Sequence, residues 1–159
     1  ARKTPVVIMK KLFIGLSALV VLIGIFSITA ISQKKQVWVA PRPGIWKVSA
    51  VDEENTNWTA VMRIARRGVK NKLVQYRGYF SWKSEDGETS GREFFNGTFD
   101  RHTGMMRLKA YRAKSEKGEL GVGNYRAFLS GKGRRIGKGV WSGPETVPGT
   151  WFASWQGYK

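Results

Sequence analysis

The chain has 159 residues with 28 Lys and Arg against 11 Asp and Glu, a formal net charge of +17, one histidine and no cysteine. Without cysteine there is no disulfide, thiolate nucleophile or cysteine-ligated metal centre, and one histidine leaves little for general-base or metal chemistry. So positive a balance favours anionic partners without choosing among them.

Residues 1–11 form a short basic tail. From Leu12 to Ile31 there are twenty consecutive uncharged positions, bracketed by Lys10-Lys11 and Lys34-Lys35. As a helix this run would be about 30 Å long, the hydrocarbon thickness of a bilayer. A secretory signal cut near Ile28-Thr29-Ala30 is the competing reading. The run exceeds the usual apolar region of about 7–15 residues, so a retained transmembrane helix is expected at 12–31. Arg2, Lys3, Lys10 and Lys11 on one flank balance Lys34, Lys35, Arg42 and Lys47 on the other, which gives the positive-inside rule little to act on. The shorter N-terminal flank favours that end inside and the C-terminal domain extracytoplasmic (periplasmic, luminal or extracellular). Gly15, Ala18, Gly24 and Ser27 are small enough for close contact with a partner helix.

Residues 32–43 read as a linker. Its lysine pair marks the membrane interface, Trp38 suits the headgroup layer, and Pro41-Arg42-Pro43 stiffens the approach to the domain at 44–159. The first 32 residues hold four of the basic residues and none of the acidic ones, leaving +13 for the rest.

Beyond Pro43 no 3.6-residue periodicity appears. Eight short alternating runs stand between turn residues: Gly44–Val51, Asn57–Arg66, Lys72–Lys83, Arg92–Phe99, Met105–Arg112, Gly123–Ser130, Arg134–Trp141 and Thr150–Gln156. Turns are expected at Arg67-Gly68, Glu85-Asp86-Gly87, Asp100 to Gly104, Lys117-Gly118, Gly131-Lys132-Gly133 and Pro148-Gly149. No connection is long enough for a crossover helix, so sequential antiparallel pairing is expected. The apolar parity of every run carries a small residue, namely Ala50, Ala60, Gly78, Gly97, Ala110, Ala127, Gly139 and Ala153, usually between large aromatics. Small residues between large ones suit a closed eight-stranded barrel, whose interior is just wide enough for side chains or one small ligand. The expected fold is all-β, an eight-stranded antiparallel up-and-down β-barrel after one N-terminal transmembrane helix, with a β-sandwich as the alternative.

Gly44-Ile45-Trp46-Lys47 resembles the Gly-x-Trp opening of the calycin barrels, the lipocalins and avidins. Phe95 to Asp100 and Gly139 to Gly143 are similar to strands of the avidin-like type. The likeness spans residues 44–156 in pattern and implies a barrel fold; no avidin ligand residue can be matched, so it implies no ligand.

Catalytic candidates are few. His102 lies in an expected turn without a nucleophile or further ligands beside it. Asp52-Glu53-Glu54 and Glu85-Asp86 sit at turns, where acids serve solvation and local hydrogen bonds. No catalytic residue, metal or cofactor is expected. Basic residues are more informative. On outward positions Arg107, Lys109, Arg126, Arg135 and Lys138 form one expected patch, and Arg63, Arg67 and Arg77 a second, with few opposing acids. The aromatics fall mostly inward, so nucleic acid is not expected as a partner.

Two functions follow. The first is a non-catalytic, membrane-anchored accessory or scaffold subunit, docking on other membrane protein subunits or an anionic protein or lipid surface through its helix and basic patches. The alternative is a membrane-tethered, calycin-like carrier for a small hydrophobic ligand, in a cavity lined by Trp46, Trp58, Tyr76, Phe80, Trp141 and Trp151.

Overall fold

The structure, a computed structural model, describes residues 37–158. The expected membrane helix at 12–31, with Gly15, Ala18, Gly24 and Ser27, lies outside the described residues. Among the described residues no helix is long and apolar enough to cross a membrane.

Each alternating run becomes a strand: β1 (Gly44–Asp52), β2 (Asn57–Lys70), β3 (Leu73–Ser84), β4 (Ser90–Asp100), β5 (Met105–Lys117), β6 (Asn124–Ser130), β7 (Arg135–Gly143) and β8 (Thr146–Gly157). Every strand pairs antiparallel with the next, and β8 returns to β1, so the sheet closes as an up-and-down barrel rather than a sandwich. Closure removes the unpaired edges that so aromatic a sheet would otherwise expose.

The inward parity holds almost throughout. Trp46, Val48, Met62, Phe80, Phe95, Phe99, Met106 and Trp151 are buried in one core. Its centre is Phe80, with ring centroids 4.9 Å from Trp82, Phe95 and Tyr125. The small-residue layer is filled rather than hollow. A Cβ on Gly97 would lie 2.5 Å from Leu108 Cδ2, and one on Gly139 would lie 2.3 Å from Trp151 Nε1. Large side chains occupy the room that the small ones leave, the interdigitation expected of a close-packed interior.

Three local expectations fail for identifiable reasons. Arg67-Gly68 is not a turn but an irregularity inside β2, with Gly68 at φ 138°, and the hairpin closes instead at Asn71-Lys72, both at positive φ. Pro148-Gly149 is not a turn either. It lies within β8, where Pro148 keeps its carbonyl for the Glu53 N–H (2.9 Å). In β7 Ile136 points inward where Gly137 was expected. The register shifts between Ile136 and Gly139, and Lys138 takes φ 51°, so the extra residue reverses the parity partway along the strand.

Candidate functional site

The two ends of the barrel are unlike. At one end, here the base, residues 37–43 run across the opening. Trp38 N–H donates to the Arg101 carbonyl (2.8 Å) and Arg42 N–H to the Gly133 carbonyl (3.2 Å). The Tyr76 hydroxyl donates to the Pro41 carbonyl at 2.9 Å, and the indoles of Trp46 and Trp155 donate to Arg42 and Pro43 at 3.0 and 2.9 Å. Pro41 is buried, and Trp38, assigned to a headgroup layer from sequence, packs half-buried against the core. Burial pushes the Tyr76 hydroxyl up to about 12, with Arg66 and Arg101 pulling weakly the other way. The described part of the expected linker is thus a seal on the barrel.

The opposite end, the mouth, is formed by the β1–β2, β3–β4 and β7–β8 turns and the loop between β5 and β6. Of the eleven acidic residues, all but Asp100 lie on these connections or the adjoining strand ends. A cavity of about 280 Å³ opens among them, walled by Trp58, Trp82, Tyr125 and Trp141 and holding the carboxylate of Glu93. Asp52, Glu54, Asp86, Glu119 and Glu145 complete its acidic lining. An anionic pocket in a protein of net charge +17 reflects segregation of charge, not composition.

Two of the turns hold a wall directly. The buried Asp52 accepts from the N–H groups of Glu54 (3.0 Å) and Thr56 (2.8 Å), and from the Trp58 indole at 2.9 Å. One carboxylate thereby closes the β1–β2 turn and fixes an aromatic wall. Asp86 closes the β3–β4 turn, accepting from Ser84 and from Glu88 N–H; the Ser84 bond foremost holds its carboxyl below the usual range. Trp141 donates its indole N–H to the Val147 carbonyl at 2.8 Å, across the β7–β8 turn.

Glu93 is the residue that sequence reading passed over. It is 1 % exposed and accepts three hydrogen bonds: from Trp82 Nε1 (2.9 Å), from Gly123 N–H (2.7 Å) and from the Tyr125 hydroxyl. Burial raises its pKa, outweighing the three donors, and burial likewise raises that of Tyr125. The signal was available, since Glu93 shares the inward parity of Phe95, Gly97 and Phe99.

A pH dependence follows. The folded state holds Glu93 above its unfolded pKa, so its contribution to stability is whole below about pH 4 and lost as pH rises through the folded value. Urea unfolding between pH 4 and 8 should show wild-type stability declining relative to Glu93→Gln as pH increases. Parallel profiles would contradict the assignment.

Of the six expected cavity residues, Trp58 and Trp141 line the mouth. Trp46, Phe80 and Trp151 are fully buried filling of the core, and Tyr76 is bonded to the base seal. The first expected basic patch is brought together in part: Arg107 stands directly opposite Arg126, with Lys109 two residues along β5, all exposed. Arg135 lies at the base end of β7, apart from that group, whereas Lys138 sits in the bulge between the partners of Arg126 and Phe128 and borders it, both exposed. Arg63, Arg67 and Arg77 share one recess on the outer wall. His102 is exposed in its turn, as expected, with its N–H donating to Asp100 at 2.8 Å.

No protein-family model and no curated protein matches the chain. A solved structure described as EF1p2_mFAP2b bound to DFHBI is similar, with a TM-score of 0.50 at 12% identity, over 72% of this chain and 93% of that one. The likeness is one of fold. It agrees with the closed antiparallel barrel that the Gly-x-Trp resemblance implies, in which Gly44 opens β1 and Trp46 anchors the base.

Proposed function

We propose that the barrel is a non-catalytic binding module, calycin-like in design, that takes a small organic cation with an apolar body into its mouth. The carrying observation is the donor balance of the cavity. The indoles of Trp58, Trp82 and Trp141 and the Tyr125 hydroxyl all donate within the protein, so the walls offer ring faces and carboxylate oxygens. Ring faces carry negative potential and attract cations, by about 2 kcal/mol when the contact is desolvated. An anion would face six carboxylates here, and a neutral acceptor would find no free indole, the unpartnered buried donor of the lining being the Thr146 hydroxyl. The sequence-based alternative of a hydrophobic-ligand carrier is thereby narrowed to a ligand with an apolar body and a positive head. The accessory-subunit reading draws on the expected helix and the outer cations, and the cavity favours the carrier. Anchored through 12–31, such a carrier would work at the membrane with its domain extracytoplasmic.

Calorimetry and indole fluorescence on the whole chain test this, with benzyltrimethylammonium, benzyl alcohol and benzenesulfonate as probes. The cation should bind at least about tenfold more tightly than the alcohol, as expected for a contact of that size, and the sulfonate should not bind. Its affinity should fall in Trp82→Leu. Equal affinity for cation and alcohol would refute the proposal, as would a cation that leaves the indole emission unchanged.

A further inference from the structure

A second recess, of about 480 Å³, lies outside the barrel on the wall made by β1 to β5. A row of cross-strand partners traverses it: Ile45 faces Arg63, Arg63 faces Tyr79, Tyr79 faces Phe94, and Phe94 faces Arg112. Arg67 and Arg77 also line it, with Tyr111. The expected Arg63–Arg67–Arg77 group therefore gains a fourth guanidinium and three rings that strand parity alone did not bring together.

Two of the four lining arginines, Arg112 and Arg77, are held in place by rings. The Arg112 guanidinium lies 4.3 Å over the Phe94 ring, whose centroid is 5.9 Å from that of Tyr79. Arg92 covers Tyr79 at 5.5 Å, and Arg77 donates to the Tyr111 hydroxyl at 3.3 Å. Among the described residues no acidic side chain lines the recess, and the one ion pair is Lys117–Glu88, on strand and turn at the mouth. A guanidinium stacked on a ring loses less freedom when its N–H fork engages an oxoanion. Four guanidinium charges around one hollow repel each other, and a single occupant with more than one negative charge relieves this best. A carboxylate carries one. A phosphate monoester carries about −1.5 to −2 and three strong acceptor oxygens, matched to arginine forks. The remaining lining, Ile45, Ala65 and the rings, suits a flat apolar body, and the volume lies within the range of small-molecule sites.

We propose that this recess binds a phosphate monoester borne on a flat aromatic body, a ligand of mononucleotide type. It is a separate site from the mouth and opposite to it in sign, so charge alone keeps each ligand out of the other's site.

Calorimetry on the whole chain tests it with adenosine 5′-monophosphate, adenosine, inorganic phosphate, an oligothymidylate and phosphatidylglycerol vesicles. The monophosphate should bind, inorganic phosphate more weakly, and adenosine not measurably. Arg63→Gln and Arg112→Gln should each weaken binding at least about tenfold, the scale of a lost charge-assisted bond. Arg112→Lys should weaken it several-fold, whereas Arg135→Gln, which removes the same charge near the base, should leave it unchanged. Benzyltrimethylammonium binding should survive in all four variants, which also reports that each is folded. Absent binding of the monophosphate overturns the site. An equal loss in Arg135→Gln reduces it to unspecific charge and overturns it too. Binding of the oligothymidylate or the vesicles alone, with the same arginine dependence, would reassign the wall to a polymer or a membrane and overturn the small-ligand site.

Discussion

Glu93→Leu should destabilise the fold by about 3 kcal/mol and abolish cation binding at the mouth. Leucine fits the volume but accepts nothing. Trp82 Nε1, Gly123 N–H and the Tyr125 hydroxyl would then be left as buried donors without their acceptor. Each orphaned group costs about 1–3 kcal/mol, partly offset because the acid's own desolvation is no longer incurred. Glu93→Gln keeps one acceptor oxygen and should lose about 1 kcal/mol, the cost of one mismatched bond. Equilibrium urea unfolding, followed by tryptophan emission, separates the two. If the leucine variant proves as stable as wild type, the carboxylate contributes nothing net to the fold and is retained for binding alone. A leucine variant that still bound the cation would remove Glu93 from the site.

Gly78→Val should destabilise comparably, by about 3 kcal/mol, at the top of the range for overpacking. A Cβ at this position would lie 2.1 Å from the Arg63 carbonyl oxygen and 2.8 Å from Phe95 Cζ. One obstacle is backbone and the other a fully buried ring, so neither can rotate aside. Gly137→Ala makes the control. Its Cβ would meet nothing within 4 Å, and its φ needs no glycine. That variant should be neutral or gain a few tenths of a kcal/mol through a stiffer unfolded chain. Similar losses at the two glycines would show that chain entropy, not interior packing, dictates glycine in these strands.

The contrast between these glycines indicates what was legible. Alternation of large and small apolar residues is a local property, and it identified all eight strands and most inward positions. It reached Gly78 and Gly97 correctly because the irregularities beside β3 and β4 place their extra residues on β2 and β5, which leaves the parity of β3 and β4 intact there. It failed at Gly137 because a bulge at Lys138 shifts the parity, and a bulge is decided by what the partner strands require. Pro148-Gly149 has turn chemistry in isolation, yet pairing with β1 and β7 draws Gly149 into the sheet.

The candidate sites were less legible for the same reason. Trp58 and Trp141 were recognisable as inward aromatics, but so were Trp46, Phe80 and Trp151, which fill the core. Depth along the barrel axis separates a wall from a filling, and strand parity carries no information on depth. Glu93 was visible as an acid on an inward face; its three donors come from β3, β6 and the loop before β6, which only closure brings together. Arg63 and Arg77 were assigned to one surface from parity, whereas Arg112 joined them through a register that skips a residue between Phe94 and Phe95.

By itself, then, the sequence determined the class of the molecule: an apolar run that suits a bilayer, eight antiparallel strands, a strongly basic surface and no thiol chemistry. These are properties of composition and of period-two patterning, which each segment carries without its neighbours. The tertiary structure decided where charge and space lie. It gathered the scattered acids at one mouth, sealed the other end with residues 37–43, and set four arginines around rings on the outer wall. Those outcomes depend on which strand ends meet, and that is decided by barrel closure.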